Sequence, residues 1–281
     1  MSNSFDVRAL LEARGSEAFA LHERYMNPQM PRILRTIGFD RNYVRADGAM
    51  LYDADGNEYL DFLAGFGVFA LGRCNPKIEQ ALRDAIAASL PNLVQMECQP
   101  LSGLLAEALV QRMPTDDYRC FFTNSGAESV ETVLKFARCA TGRNRVVFAD
   151  HAFHGLTTGA LALNGGREFR ERFGDLLPGV SSVPFGDLDA LRKELEQGNV
   201  AAFVVEPIQG KGVYVAPQGY LGAAAELCHE FGALLAVDEV QTGLGRTGTF
   251  FAFEQWDVVP DIVSIAKALS GGYVPVGAVI A

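Results

Sequence analysis

The stretch ALLAVDEVQTGLGRTG, residues 233–248, opens with five apolar residues and then changes abruptly to acidic residues and glycines. Similar short apolar runs recur after residue 76, namely YRCFFT, NRVVFA, AAFVVEP, DIVSIA and PVGAVIA. The helical windows PKIEQALRDAIAASL and PLSGLLAEALVQRM precede the first of these runs, and the predicted helix NSGAESVETVLKFAR lies between the first two. This alternation is typical of a mostly parallel sheet with helices on both faces. We therefore predict an α/β fold of three layers.

Residues 1–75 have a different pattern of apolar and polar residues. The segment DVRALLEARGSEAFALHERYM has helical spacing that Pro28 and Pro31 interrupt, which predicts a partly helical arm. The segment YVRADGAMLYDADGNEYLDFLAG places turn signals between short alternating runs, which predicts a small antiparallel β-meander. We therefore expect an N-terminal arm and β segment over 1–75 and a larger domain over 76–281.

The composition excludes several classes of protein. Hydrophobic residues make up 49% and charged residues 21% of the 281 residues, which is globular composition. No apolar run has the length of a membrane span, and the N-terminus has no apolar signal core, so we expect a cytoplasmic protein without a membrane partner. The net charge of −10 disfavours nucleic acid as a partner. Five scattered cysteines without a CxxC pair predict neither a zinc site nor disulfides.

The residues that follow each predicted strand are candidates for a binding site, because open α/β sheets bind ligands beyond the carboxyl ends of their strands. Asp238 directly follows the run ALLAV, and a buried carboxylate there requires a cationic or proton-donating partner. A protonated ring nitrogen of a bound heterocycle would meet that need. Gly243, Gly245 and Gly248 also match the G-x-G-x-x-G pattern of dinucleotide enzymes. Because five residues separate the pattern from the strand and no helical pattern follows it, we disfavour a nicotinamide or flavin enzyme.

Two further strand ends carry candidate binding residues. Ser125, Gly126 and Ala127 open a predicted helix, whose N-terminal amides suit either a phosphate or an ordinary cap. The stretch HAFHG places two histidines around Phe153. His151 and His154 lack a third ligand nearby in sequence, so an aromatic that stacks on a planar ligand is favoured over a metal site.

Lys267 interrupts the apolar stretch DIVSIAKALSGG, residues 261–272, with no charged residue within five positions. A lysine on a packed segment can simply extend its ammonium to water. Alternatively, burial lowers the pKa of a lysine, and the neutral amine forms Schiff bases with carbonyl compounds. The stretch alone leaves both interpretations open.

Five segments together, NSGAESVE, HAFHG, VVEPIQG, ALLAVDEVQTGLGRTG and IAKALSGG, resemble the subgroup III (ornithine and omega-amino acid type) aminotransferases. These are fold type I enzymes that depend on pyridoxal 5′-phosphate, and the resemblance runs from about Tyr43 to the end of the chain. It implies transfer of an amino group from a primary amine to an oxo acid by a ping-pong aldimine mechanism, with a diamine or omega-amino compound as the expected donor.

The resemblance also implies residue roles. Lys267 matches the lysine that holds the cofactor and moves the proton, and Asp238 matches the carboxylate paired with the pyridine nitrogen. Phe153 matches the aromatic stacked on the ring, and Gln241 the side chain near the phenolic oxygen. The remaining cofactor-binding residues implied are those of the phosphate turn and two flanking side chains: Ser125, Gly126, Ala127, His154 and Glu206.

Two departures from the family pattern limit what the resemblance implies. Lys211 follows EPIQG where ornithine-type members have a glutamate, which puts that type of substrate selection in doubt. Family chains also continue into a C-terminal small domain, which we expect to be absent from this chain. Other fold type I chemistry (an aminomutase, racemase or decarboxylase) and an inactive cofactor-binding module remain alternatives.

The segment FLAGFGVFALGRCNP resembles the stretch that approaches the partner's site in the dimeric family. Phe62, Phe66 and Phe69 recur there among small residues, which predicts an apolar surface for a partner rather than an internal core. We therefore expect a two-fold homodimer with shared active sites.

Overall fold

The computed structural model describes residues 6–91 and 96–281, so the first five residues of the predicted arm lie outside it. The chain forms two units, one with residues up to Phe62 and Gly72–Pro76, the other with Leu63–Leu71 and the chain from Lys77 onward. The functional division after residue 75 stays a prediction.

The smaller unit contains the helical arm and the β-meander that the sequence predicts. Pro28 precedes the third helix, and Pro31 lies in the first turn of that helix instead of breaking it. Proline is tolerated there because first-turn amides have no intrahelical acceptor. The helices are α1 (Val7–Arg14), α2 (Ala18–Tyr25) and α3 (Gln29–Thr36), and the antiparallel strands are β1 (Tyr43–Asp47), β2 (Met50–Asp53) and β3 (Glu58–Leu60).

Residues 72–76 join the smaller unit through contacts with the meander. Gly48 and Arg73 exchange backbone hydrogen bonds, and the Arg73 guanidinium donates to Asp61 at 2.8 Å. Gly72 has a φ of +80°, and a Cβ there would lie 3.0 Å from the Cα of Gly48. Only glycine accommodates both the conformation and the close approach.

The larger unit contains a seven-stranded sheet to which all six predicted apolar runs contribute a strand. The seven strands are β4 (Cys120–Thr123), β5 (Arg145–Ala149), β6 (Val180–Val183), β7 (Val200–Val205), β10 (Leu234–Asp238), β11 (Ile262–Ile265) and β12 (Gly277–Ile280). The strand order is β4-β12-β11-β10-β7-β5-β6, and β12 runs in the direction opposite to the other six. A short hairpin of β8 (Ile208–Gln209) and β9 (Tyr214–Val215) lies between β7 and β10 in sequence.

The helices of the larger unit cover the sheet on both faces, as predicted. Successive residues of β7 pack on opposite faces of the sheet. Phe203 packs on one face with residues of the helix before β7 and of the helix after the β8–β9 hairpin. Val204 packs on the other face with residues of the helix that follows β4. Burial of successive strand residues on opposite faces produces the three layers. The helices are α4 (Ala64–Gly67), α5 (Pro76–Ala87), α6 (Pro100–Val110), α7 (Gly126–Thr141), α8 (Thr158–Ala162), α9 (Arg167–Arg170), α10 (Leu188–Glu196) and α11 (Tyr220–Glu230).

Helix α7 begins immediately after β4. The Ser125 hydroxyl accepts the amide of Glu128, and the Glu128 carboxylate accepts the amide of Asn124 at 2.6 Å. This reciprocal pair fixes the start of the helix. At the other end Gly142 adopts a φ of +69°, the left-handed conformation that commonly ends a helix. Within residues 6–91 and 96–281, no helix is both long and apolar enough to cross a bilayer.

Candidate active site

The carboxyl ends of β4, β5, β7, β10 and β11 open into a cleft of about 920 Å³. This is the size of a typical small-molecule site. The position follows from the topology, because those five strands run in the same direction and end at the same edge. All nine residues predicted for the site line this cleft: Ser125, Gly126, Ala127, Phe153, His154, Glu206, Asp238, Gln241 and Lys267.

Asp238 ends β10 and is only 4% exposed. One carboxylate oxygen, Oδ1, accepts the amide of Val240 and the hydroxyl of Ser264, each at 3.0 Å. The other, Oδ2, lies 2.6 Å from Nδ1 of His154. Three donors on three different segments therefore fix the plane of the carboxylate.

His154 is buried beside Asp238 and lies in the loop after β5. Burial by itself disfavours a charged imidazole, but the hydrogen bond and charge of Asp238, with the charge of Glu206, raise the pKa of His154 overall. The second ring nitrogen, Nε2, has no hydrogen-bond partner in the part of the chain that the structure describes. The carboxylate of Asp238 thus determines the orientation and protonation of the ring.

Glu206 directly follows β7 and connects two cleft segments. Its Oε1 accepts the amide of Phe153 at 2.9 Å, and its Oε2 accepts the amide of Gly210 at 2.7 Å. Burial raises the pKa of Glu206, while the charge of His154 opposes that rise. The residue therefore positions the Phe153 loop and the hairpin relative to the sheet.

Lys267 begins the turn after β11, with a φ of +44°. A left-handed backbone at a residue other than glycine is costly, and such residues concentrate at functional sites. Burial lowers the pKa of Lys267, and the charges of Asp238 and Glu206 partly offset this effect. The cleft therefore favours the neutral amine more than water does.

The start of α7 forms another wall of the cleft. Gly126 and Ala127 line it, and the first amides of a helix have no intrahelical acceptor. A Cβ at Gly126 would lie 2.8 Å from Cγ1 of Val240, so this position has no space for a side chain. These amides and the positive end of the helix dipole suit an anionic group.

Aromatic and amide side chains complete the cleft. The Phe153 and Phe169 rings meet edge to face with centroids 5.1 Å apart. Gln241 donates from Nε2 to the carbonyl of Phe66 at 3.0 Å. Lys211 also lines the cleft and pairs with Glu168.

Sequence reasoning missed Ser264 and Phe169 as contributors to this cleft. Ser264 is a polar residue inside the buried run IVSI, and a buried hydroxyl normally has a hydrogen-bond partner, so the run contained a detectable signal. Phe169 lies in a short helix that no pattern indicates. His151 stacks on Tyr214 instead of lining the cleft, and the described residues contain no cluster of three potential metal ligands.

The family model of class-III aminotransferases matches residues 36–281. The chain belongs to the class-III aminotransferases. Among curated relatives, an acetylornithine aminotransferase of Methanopyrus kandleri is 47% identical over 86% of this chain and 62% of its own length. A putrescine aminotransferase of Pectobacterium atrosepticum is 43% identical over 96% of this chain and 61% of its own.

Solved structures of class-III aminotransferases have the same fold. The ornithine aminotransferase of Toxoplasma gondii superimposes with a TM-score of 0.88 at 32% identity, covering 99% of this chain and 66% of that one. The predicted fold type I architecture is therefore confirmed. The chain spans about three fifths of the length of the two curated relatives.

Class-III aminotransferases use pyridoxal phosphate, and the residues of this cleft fit that group. The amides at the start of α7 match a phosphate, and the buried carboxylate of Asp238 matches a protonated ring nitrogen. Lys267, with its lowered pKa, matches an aldehyde. The phosphate, the ring nitrogen and the aldehyde of the cofactor therefore each have a complementary group in one cleft.

Proposed function

We propose that this chain binds pyridoxal phosphate and transfers an amino group from a primary amine to an oxo acid. The observation that carries the proposal is the convergence of Lys267, Asp238 and the start of α7 on one cleft. These groups come from three separate strand ends. If these groups had only structural roles, nothing would require that all three face the same cleft.

Lys267 is proposed to hold the aldehyde carbon of the cofactor through Nζ and, once released, to move the proton at the reacting carbon of the substrate. Bound pyridoxal phosphate supplies the electron-accepting ring that this proton removal requires. Nζ acts as a base only when neutral, and burial lowers the pKa of Lys267 in that direction.

Asp238 is proposed to keep the pyridine nitrogen protonated. His154 and Ser264 each form a hydrogen bond with one oxygen of the Asp238 carboxylate. The carboxylate is therefore already oriented and loses little orientational entropy when the cofactor binds. His154 acts here as a positioning residue, because it contacts Asp238 at 2.6 Å through Nδ1.

The remaining cofactor contacts follow from the walls of the cleft. Ser125, Gly126 and Ala127 would bind the phosphate at the start of α7, and Phe153 would stack on the ring. Gln241 would face the phenolic oxygen, and Glu206 would keep the Phe153 loop in place through its contact with the Phe153 amide.

The proposed donor is a diamine or another omega-amino compound. This proposal draws support from the similarity to the putrescine aminotransferase of Pectobacterium atrosepticum. A cytoplasmic location and a homodimer with shared sites also remain proposals. In support of a dimer, Phe62 is 90% and Phe66 is 70% exposed, so neither ring belongs to an internal core of the chain. Phe69, the third ring of that prediction, is instead half-buried beside Gly272 of the same chain.

The test is a product assay with the full-length protein loaded with cofactor. A panel of diamines and amino acids is incubated with an oxo acid, and the amino acid formed from the oxo acid is quantified by mass spectrometry. Transfer predicts equal amounts of oxidised donor and new amino acid. Lys267→Ala is expected to abolish both products, whereas Lys193→Ala, at an exposed lysine of α10, retains them.

Other products would contradict the proposal. Release of carbon dioxide or a donor converted to an isomer would instead identify another fold type I chemistry. Cofactor binding without any product would identify an inactive binding module. Full activity in Lys267→Ala would exclude the assigned role of that lysine.

A further inference from the structure

The element α4, Ala64–Gly67, forms a turn of left-handed backbone at the cleft. Its residues have φ angles of +45°, +61°, +56° and +93° in chain order. Ala64 and Phe66 are not glycines, and such residues adopt a left-handed conformation only at a cost in free energy. Gly65 and Phe66 line the cleft. A strained turn of this kind persists only where other contacts hold it in place.

Two side chains of the loop after β10 donate to consecutive carbonyls of this turn. Gln241 donates from Nε2 to the Phe66 carbonyl at 3.0 Å, and Arg246 donates from Nη2 to the Gly67 carbonyl at 3.1 Å. A Cβ at Gly67 would lie 3.5 Å from Cγ of Gln241 and 3.9 Å from Nε of Arg246. Both side chains therefore pack on the backbone of Gly67 and hold the turn against the loop.

The turn also contacts the loop after β11. The Phe69 amide donates to the Ala64 carbonyl at 3.0 Å, which places Phe69 next to the turn. A Cβ at Gly65 would lie 2.9 Å from the Phe69 ring, and a Cβ at Gly272 would collide with the same ring. Phe69 therefore packs between the turn and the backbone of Gly272. The turn thus connects the two loops that follow β10 and β11, and each of these loops carries a proposed cofactor residue.

Gln241 can hold the turn and contact the cofactor at the same time. A primary amide has two N–H donors, so one can remain on the Phe66 carbonyl while the other donates to the phenolic oxygen of the cofactor. Packing also restricts the amide, since a Cβ at Gly210 would collide with Oε1 of Gln241. Movement of the turn would therefore remove a hydrogen bond that orients the Gln241 amide.

We propose that Arg246 is a positioning residue: its hydrogen bond to the Gly67 carbonyl keeps the left-handed turn against the loop after β10 and thereby keeps Gln241 oriented toward the cofactor. This inference rests on the proposed binding of pyridoxal phosphate. The guanidinium is always charged, and a charged donor forms a stronger hydrogen bond than a neutral one. Because coupling is reciprocal, cofactor binding stabilises the turn by the same factor by which the turn strengthens cofactor binding.

The experiment measures hydrogen exchange of the full-length protein by mass spectrometry, on peptides that cover residues 63–71. The amides of Phe66 and Phe69 donate within this segment, so their exchange reports how often the turn opens. Pyridoxal phosphate is expected to slow this exchange in the wild type about fivefold or more. Arg246→Met is expected to speed the exchange of the cofactor-loaded protein about fivefold or more. Arg246→Lys is expected to stay within about twofold of the wild type, because an ammonium also donates to a carbonyl.

Cofactor affinity and a matched control complete the test. Arg246→Met is expected to raise the dissociation constant of pyridoxal phosphate about fivefold. Arg119, at the amino end of β4, also donates to backbone carbonyls, those of Asp116 and Asp117 at 3.2 Å. Arg119→Met is therefore the control, and it is expected to change neither the exchange of residues 63–71 nor the affinity. Arg246→Gln is a second neutral variant with the same expectations as Arg246→Met, and it replaces that variant if the methionine prevents folding.

Three results would overturn the role of Arg246. These are an unchanged exchange of residues 63–71 in the neutral variants, an equal change in Arg119→Met, and a bound cofactor that leaves this exchange unchanged in the wild type. Formation of the amino acid together with an unchanged exchange in Arg246→Met refutes only the role of Arg246. A protein that binds the cofactor and shows the expected exchange but forms no amino acid refutes only the proposed amino transfer.

Discussion

Glu239 is a buried acid next to Asp238 whose ionisation should make the stability of the protein depend on pH. It is 1% exposed, and its carboxylate accepts the Phe253 amide at 2.8 Å and the Thr242 hydroxyl at 2.5 Å. Burial nonetheless raises the pKa of Glu239 to about 7. We choose Glu239→Gln as the perturbation, because the amide keeps the shape of the side chain and does not ionise.

The size of the effect follows from the shift in pKa. A rise from 4.5 to about 7 corresponds to roughly 3 kcal/mol of free energy of unfolding, since one pKa unit is about 1.4 kcal/mol. The folded protein binds this proton more tightly than the unfolded chain does. The contribution is therefore fully present below pH 4.5 and is lost as the pH rises through about 7.

The assay is urea unfolding of the cofactor-free proteins between pH 5 and pH 8.5, because a bound cofactor would add its own stabilisation. The difference in free energy of unfolding, wild type minus Glu239→Gln, is expected to fall by roughly 3 kcal/mol over this range. Glu226→Gln, at an exposed position of α11, serves as the control and should show no such trend. A difference for Glu239→Gln that stays constant with pH would refute the reasoning.

Three other substitutions have expected outcomes. Asp238→Asn is expected to lower turnover roughly a hundredfold with the fold intact, because an amide does not stabilise a protonated ring nitrogen; wild-type rates would contradict this. Gly126→Ala is expected to lower the free energy of unfolding by about 1–3 kcal/mol, because its Cβ would lie 2.8 Å from Val240; urea unfolding measures this, and wild-type stability would mean that Val240 moves freely. Phe203→Ala, at a fully buried position of β7, is expected to cost about 3–5 kcal/mol in the same assay; a loss under about 1 kcal/mol would show that the core collapses into the space.

Much of the fold could be predicted because the apolar runs are short and end abruptly. Each predicted run became a strand, and polar residues at three strand ends line the cleft: Asn124 after β4, Glu206 after β7 and Asp238 at the end of β10. Strand β6 was missed because two serines interrupt its apolar pattern. The antiparallel direction of β12 was also missed, since a run of apolar residues has the same composition in either direction.

The contacts that position the site were harder to predict. The approach of Ser264 and His154 to Asp238 depends on which strands are neighbours, and the sequence does not specify the strand order. The pairing of Lys211 with Glu168 spans 43 residues and joins a hairpin to a short helix. Local sequence patterns show which residues are polar or charged, but they do not show which of these residues pair with each other in the fold.

The role of Lys267 is tested most directly by locating the residue to which the cofactor attaches covalently. The full-length protein is incubated with pyridoxal phosphate, reduced with borohydride and digested, and the modified peptide is sequenced by mass spectrometry. We expect one modification per chain, on Lys267, and none at this position in Lys267→Ala. Modification of Lys211, the other lysine that lines the described cleft, or of a surface lysine in place of Lys267 would contradict it.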